Sequence, residues 1–180
     1  MLLRLLAAVV LLASPAATNV RATQAALPLE GGPDPYAIPV ARTVASIIEY
    51  SRWPQDHPSI RLCMAGPAEH AERIAERPLT RSRAFMPLAI DTPAESLGQC
   101  DVLYIGRMGL DDQRRFTDAA RDKPVLTIAE NDPACRSQAM VCLLFEANGV
   151  SFRINIDAIS RSHVRIDPRV LRLSVQGGAS

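Results

Sequence analysis

The sequence predicts an α/β fold: a single domain with a mostly parallel central sheet flanked by helices, and a C-terminal β-hairpin that extends the sheet. Three observations carry this. One amphipathic helical segment stands near the start, short apolar runs then alternate with polar segments of helical character, and two strand-like runs follow, joined by Asn148-Gly149. A strand followed by a helix, repeated, implies parallel strands with crossover connections. An Asn-Gly dipeptide between two strand-like runs is a hairpin signal.

Each element has its own justification. In YAIPVARTVASIIEYSRWP, Val40, Val44, Ile47 and Ile48 recur at helical spacing, Tyr50 and Trp53 sit near the end, and Pro54 stops the helix. SIRLCMAG reads as a short strand ending at Gly66, and PAEHAERIAERP as a helix with proline at its first position. RAFMPLAI reads as a strand that Pro87 pushes to a sheet edge, because proline cannot donate to a ladder. CDVLYIG, Cys100 to Gly106, is the clearest buried strand; DDQRRFTDAARD is an exposed helix, and KPVLTIAE supplies another buried strand over Pro124 to Ala129. In MVCLLFEANGVSFRINID, Val150, Phe152, Ile154 and Ile156 alternate with Ser151, Arg153, Asn155 and Asp157, so one face is apolar. A type I′ turn at Asn148-Gly149 would need positive φ at both positions. Short helices close the chain at DAISRS and DPRVLRL, the second with Asp167 as N-cap and Pro168 as first residue.

Residues 1–25 have the layout of a secretory signal peptide: Arg4, an apolar run from Leu5 to Ala13, then small residues, with cleavage at Ala17 or Ala25 and Ala25 preferred. The run is shorter than the ~20 residues a spanning helix needs. Residues 26–35, ALPLEGGPDP, read as a flexible lead-in, and residues 36–176 as one domain. Without residues 1–25, 18 basic side chains face 19 acidic ones, which is no footprint for nucleic acid.

Export makes the four cysteines candidates for pairing. Three pairings are formally possible. Chain proximity favours Cys135 with Cys142; Cys63 with Cys100 then follows by elimination, the alternative being two buried free thiols. The C-x6-C spacing does not match a zinc site and no C-x-x-C redox motif is present, so neither a metal nor a cofactor is expected. The short bridge would pin the ENDPACRSQA loop against the sheet.

Catalytic signals are weak. His57, His70 and His163 form no pair with metal spacing, there is no G-x-S-x-G, and Glu130 with Asp132 reads as a capped loop before an acid–base pair. The turn Gly106–Gly109, between a strand and a helix, is a position where an anion could bind.

IIEYSRWP, CDVLYIG, PVLTIAEND, the Cys135/Cys142 pair and VSFRINIDAISRSHVRIDPRVLRL resemble, in order and spacing over about residues 38–175, the YfiR family of periplasmic proteins. The resemblance implies a soluble periplasmic regulator and no enzyme. Such a protein binds the sensor domain of an inner-membrane diguanylate cyclase (YfiN-like) and represses it, lowering cyclic di-GMP and biofilm formation. An outer-membrane lipoprotein (YfiB-like) sequesters the repressor and releases the cyclase. The resemblance also implies a homodimer and a disulfide at the position of Cys135 and Cys142. Arg52 and Arg165 stand where the family has arginines used in partner contact; Val141 stands where it can show a larger apolar side chain near a binding surface. The competing expectation is a periplasmic small-molecule-binding domain with its site at Gly106–Gly109.

Overall fold

The computed structural model describes residues 26–80, 83–93 and 97–175, the last three without their side chains. The signal-peptide reading of residues 1–25 lies outside the described residues, as does residue 176. Seven strands form one sheet: β1 (Leu27–Pro28), β3 (Ser59–Ala65), β4 (Ala84–Ile90), β5 (Val102–Ile105), β6 (Leu126–Ala129), β7 (Val141–Glu146) and β8 (Gly149–Ile154), in the order β1-β8-β7-β6-β5-β3-β4. From β7 to β4 all pairings are parallel; β8 joins β7 antiparallel as the hairpin, and β1 joins β8 antiparallel. Helices among the described residues include α1 (Ala37–Glu49), α2 (Leu110–Ala120) and α3 (Ile156–Ser160). A separate two-stranded ribbon pairs β2 (Ser51–Arg52) with β9 (Arg165–Ile166), and a 3-10 turn at Pro168–Val175 follows.

Side chains alternate across a strand, so the central strands feed two cores. One face carries Ile60, Leu62, Val102, Tyr104, Leu126 and Ile128, packed with Val44, Ile47 and Ile48 of α1. The other carries Cys63, Ala65, Leu103 and Ile105 against Phe116 and Ala120 of α2. Each fully buried Leu, Ile or Phe contributes on the order of 2 kcal/mol. Strands buried on both faces read as continuous apolar runs, which is why CDVLYIG was the clearest signal.

Three local expectations need correction. Residues 67–78 form turns, not a helix. Their bonds span three residues (Ile74 N–H to Ala71 O, Arg77 N–H to Ile74 O), and the N–H groups of Glu69 and His70 donate to the Glu130 carboxylate. The hairpin exists, but its two turn residues are Ala147 and Asn148, and neither has positive φ. Gly149 is glycine for another reason: a Cβ there would lie 2.1 Å from the Leu27 carbonyl oxygen, because β1 runs against it. Leu27 and Pro28 of the lead-in are therefore part of the sheet. It is fastened further by Arg42 to Glu30 at 2.5 Å and by the His70 ring to Asp34 at 2.9 Å. Pro87 does sit in the edge strand β4, as expected.

Candidate functional site

Helix α1 ends where Tyr50 leaves helical geometry and the Ser51 hydroxyl donates back to Ile47 O at 2.7 Å. The chain then runs into β2, which pairs with β9 in the register Ser51 with Ile166 and Arg52 with Arg165. The Asp167 N–H donates to Tyr50 O at 2.9 Å and extends the ladder. Ser51 is buried and Ile166 packs on the core. The two-residue period of a strand then sends Arg52 and Arg165 outward, and both are exposed. The structure thus brings together two arginines from opposite ends of the chain, directly across from one another.

Like charges in register repel, and the surroundings relieve only one of them. The Arg52 Nη1 donates to Glu49 O at 2.7 Å, a carbonyl at the end of α1, and to Ser51 O at 2.8 Å. Arg165 has no hydrogen bond or ion pair among the described residues. The nearby carboxylate is committed elsewhere: Asp167 accepts from the Arg169 side chain (Nε 3.0 Å, Nη2 2.6 Å) and from the Arg169 N–H (2.9 Å). Those bonds from Arg169, with a smaller contribution from Arg52, hold the Asp167 carboxyl down at about 2. The ribbon therefore presents unneutralised positive charge. Beside it Glu49, Arg52, Trp53, Pro54 and Arg83 line a cleft of about 290 Å³.

Val141 is not part of this surface. It lies fully buried in β7, paired with Ile154 and Ile128, because the inner position of a hairpin strand faces the core. It offers nothing for a partner to touch. Cys142 is its neighbour and bonds to Cys135; Cys63 bonds to Cys100. The short bridge joins β7 to a loop held by its own bonds. Asp132 Oδ2 accepts the Ser137 N–H at 2.6 Å, and the Thr117 hydroxyl of α2 donates to Ser137 O at 2.6 Å. Both sulfurs near Asp132 are spent in the disulfide.

The candidate acid–base groups hold the fold. Glu130 is buried and accepts from the Tyr104 hydroxyl at 2.9 Å as well as from the two N–H groups named above. Burial first, and then the Glu130 charge, push the Tyr104 phenol well above its ordinary value, so it stays a donor. The His70 ring packs between Tyr36 and Phe145, and His163 is exposed. The turn at Gly106–Gly109 does not make an anion site. A Cβ at Gly106 would meet the Pro67 carbonyl oxygen at 2.3 Å, and Arg107 N–H already donates to Pro67 O at 2.7 Å. The first turn of α2 also carries Asp111 and Asp112, which answer the helix dipole themselves.

Sequence reasoning missed one cluster. Asp101, buried just before β5, accepts from Arg61 at its N–H (2.9 Å), Nε (3.0 Å) and Nη2 (2.7 Å), and His57 Nε2 lies 3.6 Å away. The Asp101 hydrogen bond raises the Arg61 guanidinium further above its ordinary value. The Trp53 indole N–H donates to Asp101 O at 3.0 Å. The available signal was a carboxylate directly ahead of a fully apolar strand.

Among the described residues, no helix is long and apolar enough to cross a membrane. Solved structures similar in shape include the ureidoglycine–glyoxylate aminotransferase of Bacillus subtilis (11% identity, 79% of this chain and 40% of that one, TM-score 0.42). Another is an alanine–glyoxylate aminotransferase from Nostoc sp. (8% identity, 88% of this chain and 46% of that one, TM-score 0.45). This chain spans less than half the length of either. A family model described as YfiR/HmsC-like matches residues 39–175, across both ribbon strands and both disulfides, and the chain belongs to that family.

Proposed function

We propose that this protein is a periplasmic regulator that binds the sensor domain of an inner-membrane diguanylate cyclase, of the YfiN type, and holds it inactive. Cyclic di-GMP and biofilm formation fall as a result. One observation carries the reading: Arg52 and Arg165 are exposed and in register on the outer side of the ribbon. An arginine fork pairs carboxylates in a planar, bidentate way, so the ribbon suits an acidic partner surface. Control follows from differential affinity, because only a preference for one state of the sensor can shift its population. Family membership supports the regulatory class, and two disulfides suit an oxidising compartment. A YfiB-like outer-membrane lipoprotein competing for the same chain, and a homodimeric state, complete the proposal.

The test uses the purified protein and the isolated periplasmic domain of the cognate cyclase in a binding titration. Replacing both Arg52 and Arg165 with Glu is expected to weaken binding at least tenfold and to raise cyclic di-GMP in cells. Unchanged affinity and unchanged cyclic di-GMP would remove the ribbon from the interface.

A further inference from the structure

A larger cleft, of about 560 Å³, shares Trp53 and Pro54 with the cleft beside the ribbon and continues to the Asp101 corner and the end of α2. Three basic side chains line it: His57, Arg61 and Lys123. The first two are 34% and 36% exposed and Lys123 is half-buried, so a ligand in the cleft can reach each of them. The turn after α2 brings Lys123 there. Asp122 takes a φ of 58°, a left-handed value that aspartate tolerates, and the Lys123 N–H folds back to donate to Ala120 O at 3.1 Å. Trp53 forms an apolar wall with Leu97 and Pro124, and its indole N–H is fixed by Asp101 O at 3.0 Å.

The charges of the lining decide what such a ligand is. Asp101 is buried and its charge is matched by Arg61, whose Nε and Nη2 both bond to it. The Arg61 Nη1 makes no hydrogen bond among the described residues and is left as a donor. His57 Nε2, 3.6 Å from Asp101 Oδ1, stands on the same carboxylate. Lys123 has no ion pair among the described residues, so its ammonium is the charge of the lining without an answer. One surplus charge beside apolar walls suits a singly charged anion. A dianion would bring a second negative charge close to Asp101, where like charges repel. We infer that this cleft binds a flat organic monocarboxylate, its carboxylate on Lys123 Nζ and Arg61 Nη1 and its body against Trp53 and Pro124. Hydrogen bonds in which donor and acceptor are both charged are the strong kind. Apolar walls with a few convergent polar groups are the usual make-up of a small-molecule site. Neither Arg52 nor Arg165 lines this cleft, and the inference does not depend on the cyclase reading.

Trp53 is the only tryptophan of the chain and Lys123 its only lysine, so each end of the ligand has its own reporter. The experiment titrates the oxidised full-length protein with cinnamate, the neutral cinnamamide and inorganic phosphate. Trp53 fluorescence follows the body, and the Lys123 side-chain NMR signal, after reductive methylation with a carbon-13 label, follows the carboxylate. Cinnamate is expected to quench Trp53 and to shift the Lys123 signal with one dissociation constant, cinnamamide and phosphate being at least about tenfold weaker. Lys123→Gln should bring cinnamate down to the level of cinnamamide. Arg121→Gln, which removes an exposed charge outside the cleft, should leave cinnamate binding unchanged. Thermal melts without ligand establish that both variants fold; if Lys123→Gln does not, the Lys123 signal of the unsubstituted protein decides alone. Cinnamate that leaves either reporter unmoved would overturn the inference. So would quenching that persists undiminished in Lys123→Gln, or a loss as large in Arg121→Gln, since long-range charge alone would then account for it. Phosphate binding more tightly than cinnamate would overturn the assignment of a flat, singly charged ligand.

Discussion

Arg61 and Arg165 are both strand arginines with side chains at least a third exposed, yet they sit in opposite circumstances. Arg61 forks onto a buried carboxylate with two bonds, and its own N–H adds a third. Its charge is used up inside the molecule. Arg165 lies across from another arginine and has no partner among the described residues. The first arrangement spends charge on the fold; the second keeps it available at some cost in local repulsion. A cluster that saturates itself can serve the fold without touching anything else, whereas a like-charged pair in register, one member of which has no partner among the described residues, is the better candidate for recognition.

The Asp101 corner can be attacked in two places, and both should cost stability. Cys63–Cys100 closes a 37-residue separation and Cys135–Cys142 one of 7. In the chain-entropy picture, replacing the first pair by serine costs about 4 kcal/mol and the second about 2. Urea unfolding reads both. Equal losses would break the view that the corner at Cys100–Asp101 is the heavier fastening. Asp101→Ala follows, at about 3 kcal/mol, the low end for breaking a buried pair, since Arg61 is 36% exposed and can rehydrate. A loss under about 0.5 kcal/mol would place Asp101 with ordinary surface residues.

The ribbon should answer differently. Arg165→Glu converts a repulsive cross-strand pair into an attractive one, so stability should hold or rise by up to about 0.5 kcal/mol. Affinity for the cyclase sensor should fall at least tenfold in the same variant. Stability lost together with affinity would collapse the distinction between the two regions. The smallest effect concerns Asp167. Its carboxyl titrates at about 2 in the fold against 3.8 ordinarily. Its bonds to Arg169 are therefore complete above pH 3.8 and fade as pH falls through about 2. Carbon-detected NMR titration should show that midpoint, and Arg169→Gln should move it up towards 3.8.

Much of the fold was legible because burial leaves a mark on composition. Strand β5 is covered on both faces, so its residues are apolar without interruption, and Pro87 marks an edge because it lacks a donor. The failures share a cause. PAEHAERIAERP has helical spacing at Ala71 and Ile74, but the donors of its first turn found a better acceptor in Glu130, which is 60 residues away in the case of His70. Glycine at 149 is required by the approach of Leu27 from across the sheet and not by its own turn, a contact that no local pattern carries. Val141 looked like a surface residue only by family analogy; its place in β7 buries it. At the candidate site, Arg52 and Arg165 were legible as residues, but nothing in either segment announced that they would stand opposite one another.

The chain by itself determined the class of fold, its most buried strands, the hairpin and the cysteine pairing that proximity favoured, because periodicity, proline and short loops act over a few residues. Only the tertiary structure decided the β2–β9 ribbon, the fastening of residues 27–28 to β8 and the Arg61–Asp101 network. Each of these is a contact between segments distant in sequence, and its free energy depends on what the rest of the fold has already brought within hydrogen-bonding reach.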